Sequence, residues 1–198
     1  MPSSNDPTTL FILSALQADA KHGEATLQAI AAAATARKLQ PDVHDLVSTK
    51  VQACYGCGAC GLVTPGICTV QDPMQQIFRK IVKSRVFVLA SPIRFGTHHS
   101  ELKKAIDRCQ PLMVPLYTVR GGELNFRPRY SQPPLLLGVG LLAKADSEQE
   151  SAYRALMERH GGNLAMASGA AVLLASDSAA EKQAKVEKAL GALLEARQ

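Results

Sequence analysis

The sequence predicts an α/β fold built on a doubly wound parallel sheet, because strand-length apolar runs alternate along the chain with segments of helical periodicity. Continuous apolar runs of this length are typical of strands that are buried on both faces of a sheet. Four runs have this character, and they cover residues 9–14, 85–91, 134–142 and 170–176. A weaker run of mixed polarity over residues 42–48 fits a strand at the edge of the sheet.

Five helices are predicted between and after these strands. In the first, Leu27, Ile30 and Ala34 follow the spacing of one helix face. The second has the clearest start, with Asp72 as the N-cap and Pro73 at the first helical position. Apolar stripes mark the second, third and fifth helices over residues 74–82, 102–109 and 186–194. The fourth helix is predicted over about residues 148–160, before a pair of glycines.

Alternation of strands and helices implies right-handed crossovers between parallel strands. Five strands and five helices fit the flavodoxin-like order 2-1-3-4-5, a five-stranded parallel sheet with helices on both faces. The length of 198 residues suits a single domain over residues 1–198. In such sheets the ligand lies beyond the carboxyl ends of the strands, where the strand order reverses. The loops after residues 14, 91 and 142 are therefore the candidate binding loops.

Composition narrows the class of protein. Apolar residues make up 46% of the chain and charged residues 20%, as in an ordinary globular protein. The net charge of +5 is spread along a chain with no Trp and only 5% aromatic residues, which argues against nucleic-acid binding. We find neither a run of membrane-spanning length nor a secretory signal pattern, and we expect a cytoplasmic protein that binds no membrane.

Four of the five cysteines lie in one cysteine-rich loop over residues 49–72, with the spacing C-x2-C-x2-C-x7-C. In a reducing compartment, clustered cysteines more often bind metals or take part in redox chemistry than form disulfides. Flanking glycines free backbone N–H groups to point at sulfur, which suits a negatively charged iron–sulfur cluster. Zinc usually takes two separated C-x2-C pairs, so it fits less well, and a metal-free loop is the third possibility. The ligand set would be Cys54, Cys57, Cys60 and Cys68. The fifth cysteine, Cys109, is expected to be a small buried hydrophobe.

Two candidate binding loops carry residue types that suit an anion and a flat ring. After the first strand, Ser14 and Thr26 offer hydroxyl groups and Gly23 lets the backbone turn near a helix start, although an ordinary strand-to-helix loop would look the same. After the third strand comes SPIRFG, in which Arg94 and Phe95 would project over the cleft.

The series CxxCxxC…C, DPM, SPIRFG and ELKKAIDR resembles the NAD(P)H-dependent FMN reductases and iron–sulfur flavoproteins of the flavodoxin-like superfamily. The resemblance implies an FMN whose phosphate lies in the first loop, and a [4Fe–4S] cluster on the four clustered cysteines. The Pro-Arg pair that usually follows the serine is absent after Ser14, so Lys144 or Arg94 would replace the missing positive charge. The implied FMN-binding residues are Ser14, Gly23, Thr26, Ser91, Pro92, Ile93, Arg94, Phe95, Gly96 and Lys144.

The expected function is that of an FMN-dependent electron-transfer flavoprotein with a [4Fe–4S] cluster. One alternative is a cluster-free NAD(P)H-dependent FMN or quinone reductase, and another is a degenerate module that binds zinc or no cofactor. The expected partners are a small-molecule or ferredoxin-like electron donor or acceptor, with NAD(P)H as a candidate. A homo-oligomer, a dimer or tetramer, is also expected.

The long segment over residues 110–133 is rich in arginine and carries a tyrosine, Tyr130. It could close over the flavin, bind a nucleotide phosphate or dock an acidic carrier through Arg120, Arg127 and Arg129. It could equally be an arm at a subunit interface or a loose surface loop.

Overall fold

The computed structural model describes residues 8–19 and 21–196, without the side chains of Ala18 and Arg120. The strands are β1 (Thr9–Ser14), β2 (Gln40–Asp45), β3 (Val86–Arg94), β4 (Thr97–His98), β5 (Met113–Arg120), β6 (Glu123–Pro128), β7 (Leu135–Leu142) and β8 (Ser168–Leu174). The helices are α1 (Gly23–Ala36), α2 (Ala59–Leu62), α3 (Met74–Lys83), α4 (Ser100–Asp107), α5 (Ser147–Leu164) and α6 (Ala179–Glu195).

The central sheet has the strand order β2-β1-β3-β7-β8, and all four pairings along this path are parallel. These are the five predicted strands in the predicted relative positions. The prediction of a purely parallel, five-stranded sheet is nevertheless wrong. A sixth strand, β4, folds back and pairs antiparallel with the end of β3, where Ile93 lies opposite His98.

Helices cover both faces of this sheet, which explains why the inner strands β1, β3 and β7 are mostly apolar and buried. One core lies under α3, α4 and α5 and takes Phe11 and Leu13 from β1. The other lies under α1 and α6 and takes Leu10 and Ile12 from the same strand. Because successive side chains of a strand point to opposite faces, an unbroken apolar run from Leu10 to Leu13 lets β1 fill both cores.

The predicted elements are found close to their expected bounds, with two informative differences. Strand β2 starts at Gln40 and contains Pro41, which an edge strand tolerates because one side of its backbone has no partner strand. Helix α5 was predicted to end before Gly161, but it continues to Leu164 and ends at a left-handed Ala165 with φ of +53°. A Cβ on Gly161 would lie 2.6 Å from the Cβ of Ser168, so glycine is needed there for close packing of the helix on β8.

The segment over residues 110–133 folds as a β-hairpin rather than a loose loop. Strands β5 and β6 pair antiparallel, and Gly121 and Gly122 form the turn with φ of +58° and +81°. Positive φ at both positions is the requirement of a tight type I′ hairpin turn. An ion pair of 2.6 Å between Arg159 and Glu123 joins the hairpin to α5. Among the described residues, no helix is both long enough and apolar enough to span a membrane.

Candidate functional site

A cleft of about 470 Å³ opens at the carboxyl ends of β3 and β7. It brings together four of the predicted flavin-binding residues, Ile93, Arg94, Phe95 and Lys144. Phe95 is 96% exposed and holds a left-handed backbone with φ of +52°, so its ring stands free at the mouth of the cleft. Arg94 and Lys144 are also exposed, and they place two positive charges beside this aromatic ring.

The loop that carries Phe95 rests on the first turns of α5. Gly96 has φ of +74°, and a Cβ there would lie 2.6 Å from the Cβ of Ala152. The Gly96 N–H donates to the Gln149 side chain at 3.4 Å, and the Gln149 amide donates to Asp146 at 2.7 Å. Asp146 also accepts the backbone N–H groups of Glu148 and Gln149 as the N-cap of α5, and these bonds lower the pKa of its carboxyl. The loop and the helix start therefore form one hydrogen-bonded unit.

Ser91 and Pro92 lie beneath this loop, where they are buried. The Ser91 hydroxyl donates to the Pro92 carbonyl and accepts the His99 N–H, each at 2.8 Å. These contacts fix the exit of β3 and the entry of α4. Both residues shape the loop and do not line the cleft.

The three residues predicted to hold a phosphate are engaged within the first loop. The Ser14 hydroxyl accepts the Leu16 N–H and donates to Gln17, each at 3.1 Å. The Thr26 hydroxyl donates to the His22 carbonyl at 2.9 Å. A Cβ on Gly23 would lie 2.8 Å from the carbonyl carbon of Leu16, so the loop closes tightly on the start of α1. Neither Ser14, Gly23 nor Thr26 lines the cleft in this arrangement.

A side-chain carboxylate accepts backbone N–H groups that were expected to bind the phosphate. Asp19 accepts the backbone N–H groups of Lys21 at 3.2 Å and His22 at 3.0 Å, just before α1 begins. Backbone N–H groups at a helix start are the usual ligands of a bound phosphate. A phosphate that binds here has to compete with Asp19. The sequence gives no local signal of this contact beyond an acidic residue four positions before the first residue of α1.

The four clustered cysteines line a second, smaller cavity together with Arg108. All four are free thiols, with Cys54 and Cys57 exposed and Cys60 and Cys68 half-buried. Within the described part of the chain, no three His, Cys, Asp or Glu side chains are grouped as ligands of a single metal ion. The thiols therefore share one cavity without converging on one point.

Hydrogen bonds and burial shift the pKa values of two of these thiols in opposite directions. The Ala59 N–H, and after it the Thr69 hydroxyl, lower the pKa of the Cys57 thiol. Burial raises the pKa of the Cys60 thiol, and nearby negative charge at Cys68 adds to this effect. The Ala59 N–H follows Gly58, which caps the short helix α2 with φ of +69°. A glycine next to the cysteines thus directs a backbone N–H at sulfur, as the sequence predicts.

Two residues outside the cysteine-rich loop tie it to the fold. The Gln75 amide of α3 donates to the carbonyls of Cys68 at 2.8 Å and Val70 at 3.1 Å. Arg108, directly after α4, contacts both ends of the loop. No local signal in the sequence marked Gln75 or Arg108 as a contact of this loop, although the ELKKAIDR motif contains Arg108. Asp72 was predicted to be the N-cap of α3, but the helix starts one residue later, so Pro73 is the N-cap. Asp72 still accepts the Met74 N–H at 3.0 Å.

Comparison with protein families decides the class of the chain. The model of the family described as NADPH-dependent FMN reductase matches residues 8–139, which is about two thirds of the sequence. The chain belongs to the NADPH-dependent FMN reductase family. This confirms the resemblance drawn from the motifs, and it places the chain in a family of flavin-dependent oxidoreductases. The matched region includes the cysteine-rich loop, SPIRFG and the β-hairpin, and it ends within β7.

Among curated proteins, this FMN reductase family member is similar to several iron–sulfur flavoproteins. It is 26% identical over 113 residues to one from Methanocaldococcus jannaschii, over 57% of the chain and 50% of that protein. It is 35% identical over 69 residues to one from Archaeoglobus fulgidus, over 35% of the chain and 30% of that protein. The chain thus spans half or less of the length of these relatives.

Solved structures confirm the flavodoxin-like α/β fold over nearly the whole chain. An NAD(P)H:quinone oxidoreductase from Methanothermobacter marburgensis superposes with a TM-score of 0.65 at 12% identity, covering 94% of this chain and 98% of that one. An FMN-dependent NADH-azoreductase from Bacillus anthracis, solved with FMN, gives 0.58 at 10% identity, with 96% and 97% covered. At these identities the likeness establishes the fold alone.

Proposed function

We propose that this chain is an FMN-dependent oxidoreductase that carries a [4Fe–4S] cluster on Cys54, Cys57, Cys60 and Cys68. The observation that carries the proposal is that all four thiols line one cavity although the fourth follows the third by eight residues. Family membership and the names of the curated relatives support both cofactors. The cluster and the activity of the whole protein are the parts that experiment has to establish.

The cleft at the ends of β3 and β7 fits the ring of a flavin. Phe95 offers an exposed aromatic face, while Arg94 and Lys144 supply positive charge for an electron-rich or anionic ring edge. When bound, FMN would supply the hydride chemistry, taking two electrons from a donor such as NAD(P)H. The chain itself orients the ring by means of the loop fixed on Gln149, and it needs no side chain acting as a general base.

The phosphate end of FMN fits less well than the ring. The hydroxyls of Ser14 and Thr26 would have to exchange their present partners to reach a phosphate. The backbone N–H groups that Asp19 now accepts would have to be released as well. We therefore propose that FMN binding is accompanied by opening of the first loop.

The chemistry of the second cavity fits an iron–sulfur cluster. The prospective ligands are thiols alone, and soft thiolates are the usual ligands of such clusters. A cluster attaches its ligands to separate iron atoms, so the thiols must surround it rather than converge on one point. The Ala59 N–H and the Arg108 guanidinium favour negative charge on the sulfurs. A bound cluster would accept or pass on one electron at a time.

A cluster-free NAD(P)H-dependent FMN or quinone reductase is the second candidate. It is favoured by the finding that the described side chains form no group of three ligands for a single metal ion. The same finding weighs against the third interpretation, a module that binds zinc through these thiols. Under the second candidate the cysteines would have a structural or redox-sensing role.

We propose a small-molecule or ferredoxin-like electron donor or acceptor, and assembly of the chain into a homo-oligomer. All five cysteines are free thiols, which is consistent with the reducing cytoplasm as the compartment. A long hairpin with the exposed apolar side chains Leu116, Val119 and Leu124 is a surface that assembly could bury.

The proposal is tested by assaying iron, acid-labile sulfide, zinc and flavin in protein purified and reconstituted without oxygen. We expect iron and sulfide in near-equal amounts, bound flavin, and loss of the iron in a Cys57→Ala variant. Cys109→Ala is the matched control, because Cys109 is buried and does not line the cavity, and we expect this variant to keep its iron. Flavin without iron would support the second candidate instead, and zinc without flavin the third.

A further inference from the structure

A fully buried arginine lies against the cysteine cavity. The Arg108 side chain has 0% exposure, and its ion-pair partner, the Asp72 carboxylate, has 5%. Burial of a charged pair carries a large desolvation cost unless geometry and further hydrogen bonds compensate for the lost hydration. Replacement of a buried ion pair by a hydrophobic pair of similar volume is often neutral or stabilising. The presence of a charge at this position therefore calls for an explanation other than stability.

The guanidinium donates to the two ends of the cysteine-rich loop. One terminal nitrogen contacts Asp72 and lies 3.3 Å from the Gln52 carbonyl, where the loop begins. The other lies 3.4 Å from the Val70 carbonyl, where the loop ends. Asp72 completes the closure by accepting the Gln52 N–H at 2.9 Å. The planar fork of arginine can make these contacts at once, whereas lysine presents a single point of charge.

The same terminal nitrogen that contacts Val70 also lies 3.5 Å from the sulfur of Cys68. Arg108 is thus a cationic N–H donor to one of the four proposed cluster ligands. Hydrogen bonds to the sulfurs and net charge near the cluster are among the factors that set the reduction potential of iron–sulfur centres. Because one-electron reduction adds a negative charge, a nearby cation and an N–H donor to sulfur stabilise the reduced form.

Helix α4 connects this arginine with the loop that carries Phe95, which we call the flavin loop. The helix starts next to His99, whose N–H is held by Ser91 at the end of β3, and it ends one residue before Arg108. Its eight residues span about 12 Å at the rise of an α-helix. A rigid element of this length fixes the position of Arg108 relative to the loop that carries Phe95.

We propose that Arg108 is a positioning residue that raises the reduction potential of the cluster through its hydrogen bond to Cys68, with Asp72 as the opposing charge. The inference rests on the proposed cluster and deepens it. Arg108 also holds the ends of the loop together, but that role alone predicts changes in cluster retention and not in potential. Asp72 lowers the potential by partly cancelling the guanidinium charge, and the two residues thus have opposite effects.

The test is an anaerobic redox titration of the reconstituted protein, with the reduced cluster followed by electron paramagnetic resonance. We expect a more negative cluster midpoint potential in Arg108→Gln, a smaller shift in the same direction in Arg108→Lys, and a more positive potential in Asp72→Asn. The FMN potential should change less than the cluster potential in every variant. Asp72→Asn keeps an acceptor for the Met74 N–H at the start of α3. The cluster potential of this variant can therefore test the proposal even if Arg108→Gln does not fold.

Arg129→Gln is the matched control. Arg129 lies against Gly66 of the same loop and does not line the cysteine cavity. Its hydrogen bonds to described residues go to the carbonyls of Pro111 at 3.0 Å and Met113 at 2.9 Å. Its cluster potential should equal that of the wild type. Equal potentials in the Arg108 and Asp72 variants, or shifts of the same sign, would overturn the role of Arg108 while leaving the cluster proposal intact. A wild-type protein that binds no cluster would overturn both.

Discussion

At the scale of single residues, the most unusual group is an imidazole buried without hydrogen-bond partners behind the flavin loop. His98 of β4 is 4% exposed, and neither of its ring nitrogens has a partner among the described residues. Its ring stacks on His160 at 5.4 Å and meets the edge of Tyr153 at 5.3 Å. Burial, and after it the charges of His160 and Lys103, lowers the pKa of His98 to about 3. The ring is therefore neutral in the folded protein at every pH near neutrality.

This imidazole predicts a loss of stability in acid. In the unfolded chain a histidine has a pKa of about 6.5, so the unfolded state binds a proton below that pH while folded His98 does not. The contribution of His98 to the free energy of unfolding is full above pH 6.5 and falls as the pH drops towards 3. We expect a loss of about 2 kcal/mol between pH 7 and pH 5 from this residue.

Urea unfolding at several pH values measures this dependence. His98→Phe should flatten the pH dependence between pH 7 and pH 5, because phenylalanine keeps a ring against Tyr153 and has no proton to gain. A smaller slope should remain, since burial also lowers the pKa of His160. Equal slopes in the variant and the wild type would mean that His98 titrates normally in the folded protein.

At the scale of elements, the start of α5 combines two roles that are separate elsewhere in the chain. Asp146 caps this helix and, through Gln149, supports the loop that carries Phe95. The start of α6 has a comparable cap, a capping box between Ser178 and Glu181, but none of its residues lines the flavin cleft. A comparison of variants at the two helix starts can therefore distinguish the effect of a lost cap on stability from its effect on the proposed binding of the flavin.

Asp146→Ala and Ser178→Ala should each lower the free energy of unfolding by about 1 kcal/mol, the usual cost of removing a helix N-cap. Only Asp146→Ala should also weaken flavin binding, because it releases the Gln149 side chain that holds Gly96. Flavin fluorescence quenching measures the binding, and urea unfolding measures the stability. If Ser178→Ala weakens binding equally, the effect arises from general destabilisation and not from the flavin loop.

At the scale of the whole molecule, the cleft at the ends of β3 and β7 (the proposed flavin cleft) and the cysteine cavity are separate sites in one fold. They share no lining residue. Helix α4 joins them, because it begins behind the flavin loop and leads to Arg108 at the cysteine cavity. Under the proposed function, the cleft would hold the two-electron cofactor and the cysteine cavity the one-electron cofactor, at fixed positions in one fold.

The sheet could be predicted from the sequence because its strands are buried on both faces, which leaves long apolar runs such as that of β7. The β-hairpin could not be found in this way, since its strands are largely exposed and Pro115 lies in an irregularity between Val114 and Tyr117. Its Gly121-Gly122 turn was the available signal. Long-range contacts were also beyond prediction. The partner of Arg108 lies 36 positions away, and the packing of Gly161 on β8 depends on the finished fold.

The same distinction between local sequence and long-range contacts applies to the candidate site. The SPIRFG loop and the four cysteines could be placed from motifs, because local backbone and spacing determine where they lie. The state of the first loop could not, since its hydroxyls have several possible partners and the competition of Asp19 for N–H groups depends on the local backbone. The predicted phosphate residues therefore stay predictions, and their test is the binding of FMN itself.

The most direct measurement of the central claim is an anaerobic titration with dithionite that counts the electrons taken up per chain. A chain that holds one FMN and one [4Fe–4S] cluster should take up about three electron equivalents, two for the flavin and one for the cluster. Cys57→Ala should take up about two, and Cys109→Ala about three. Uptake of only about two equivalents by reconstituted wild-type protein, with no paramagnetic signal of a reduced cluster, would contradict the account.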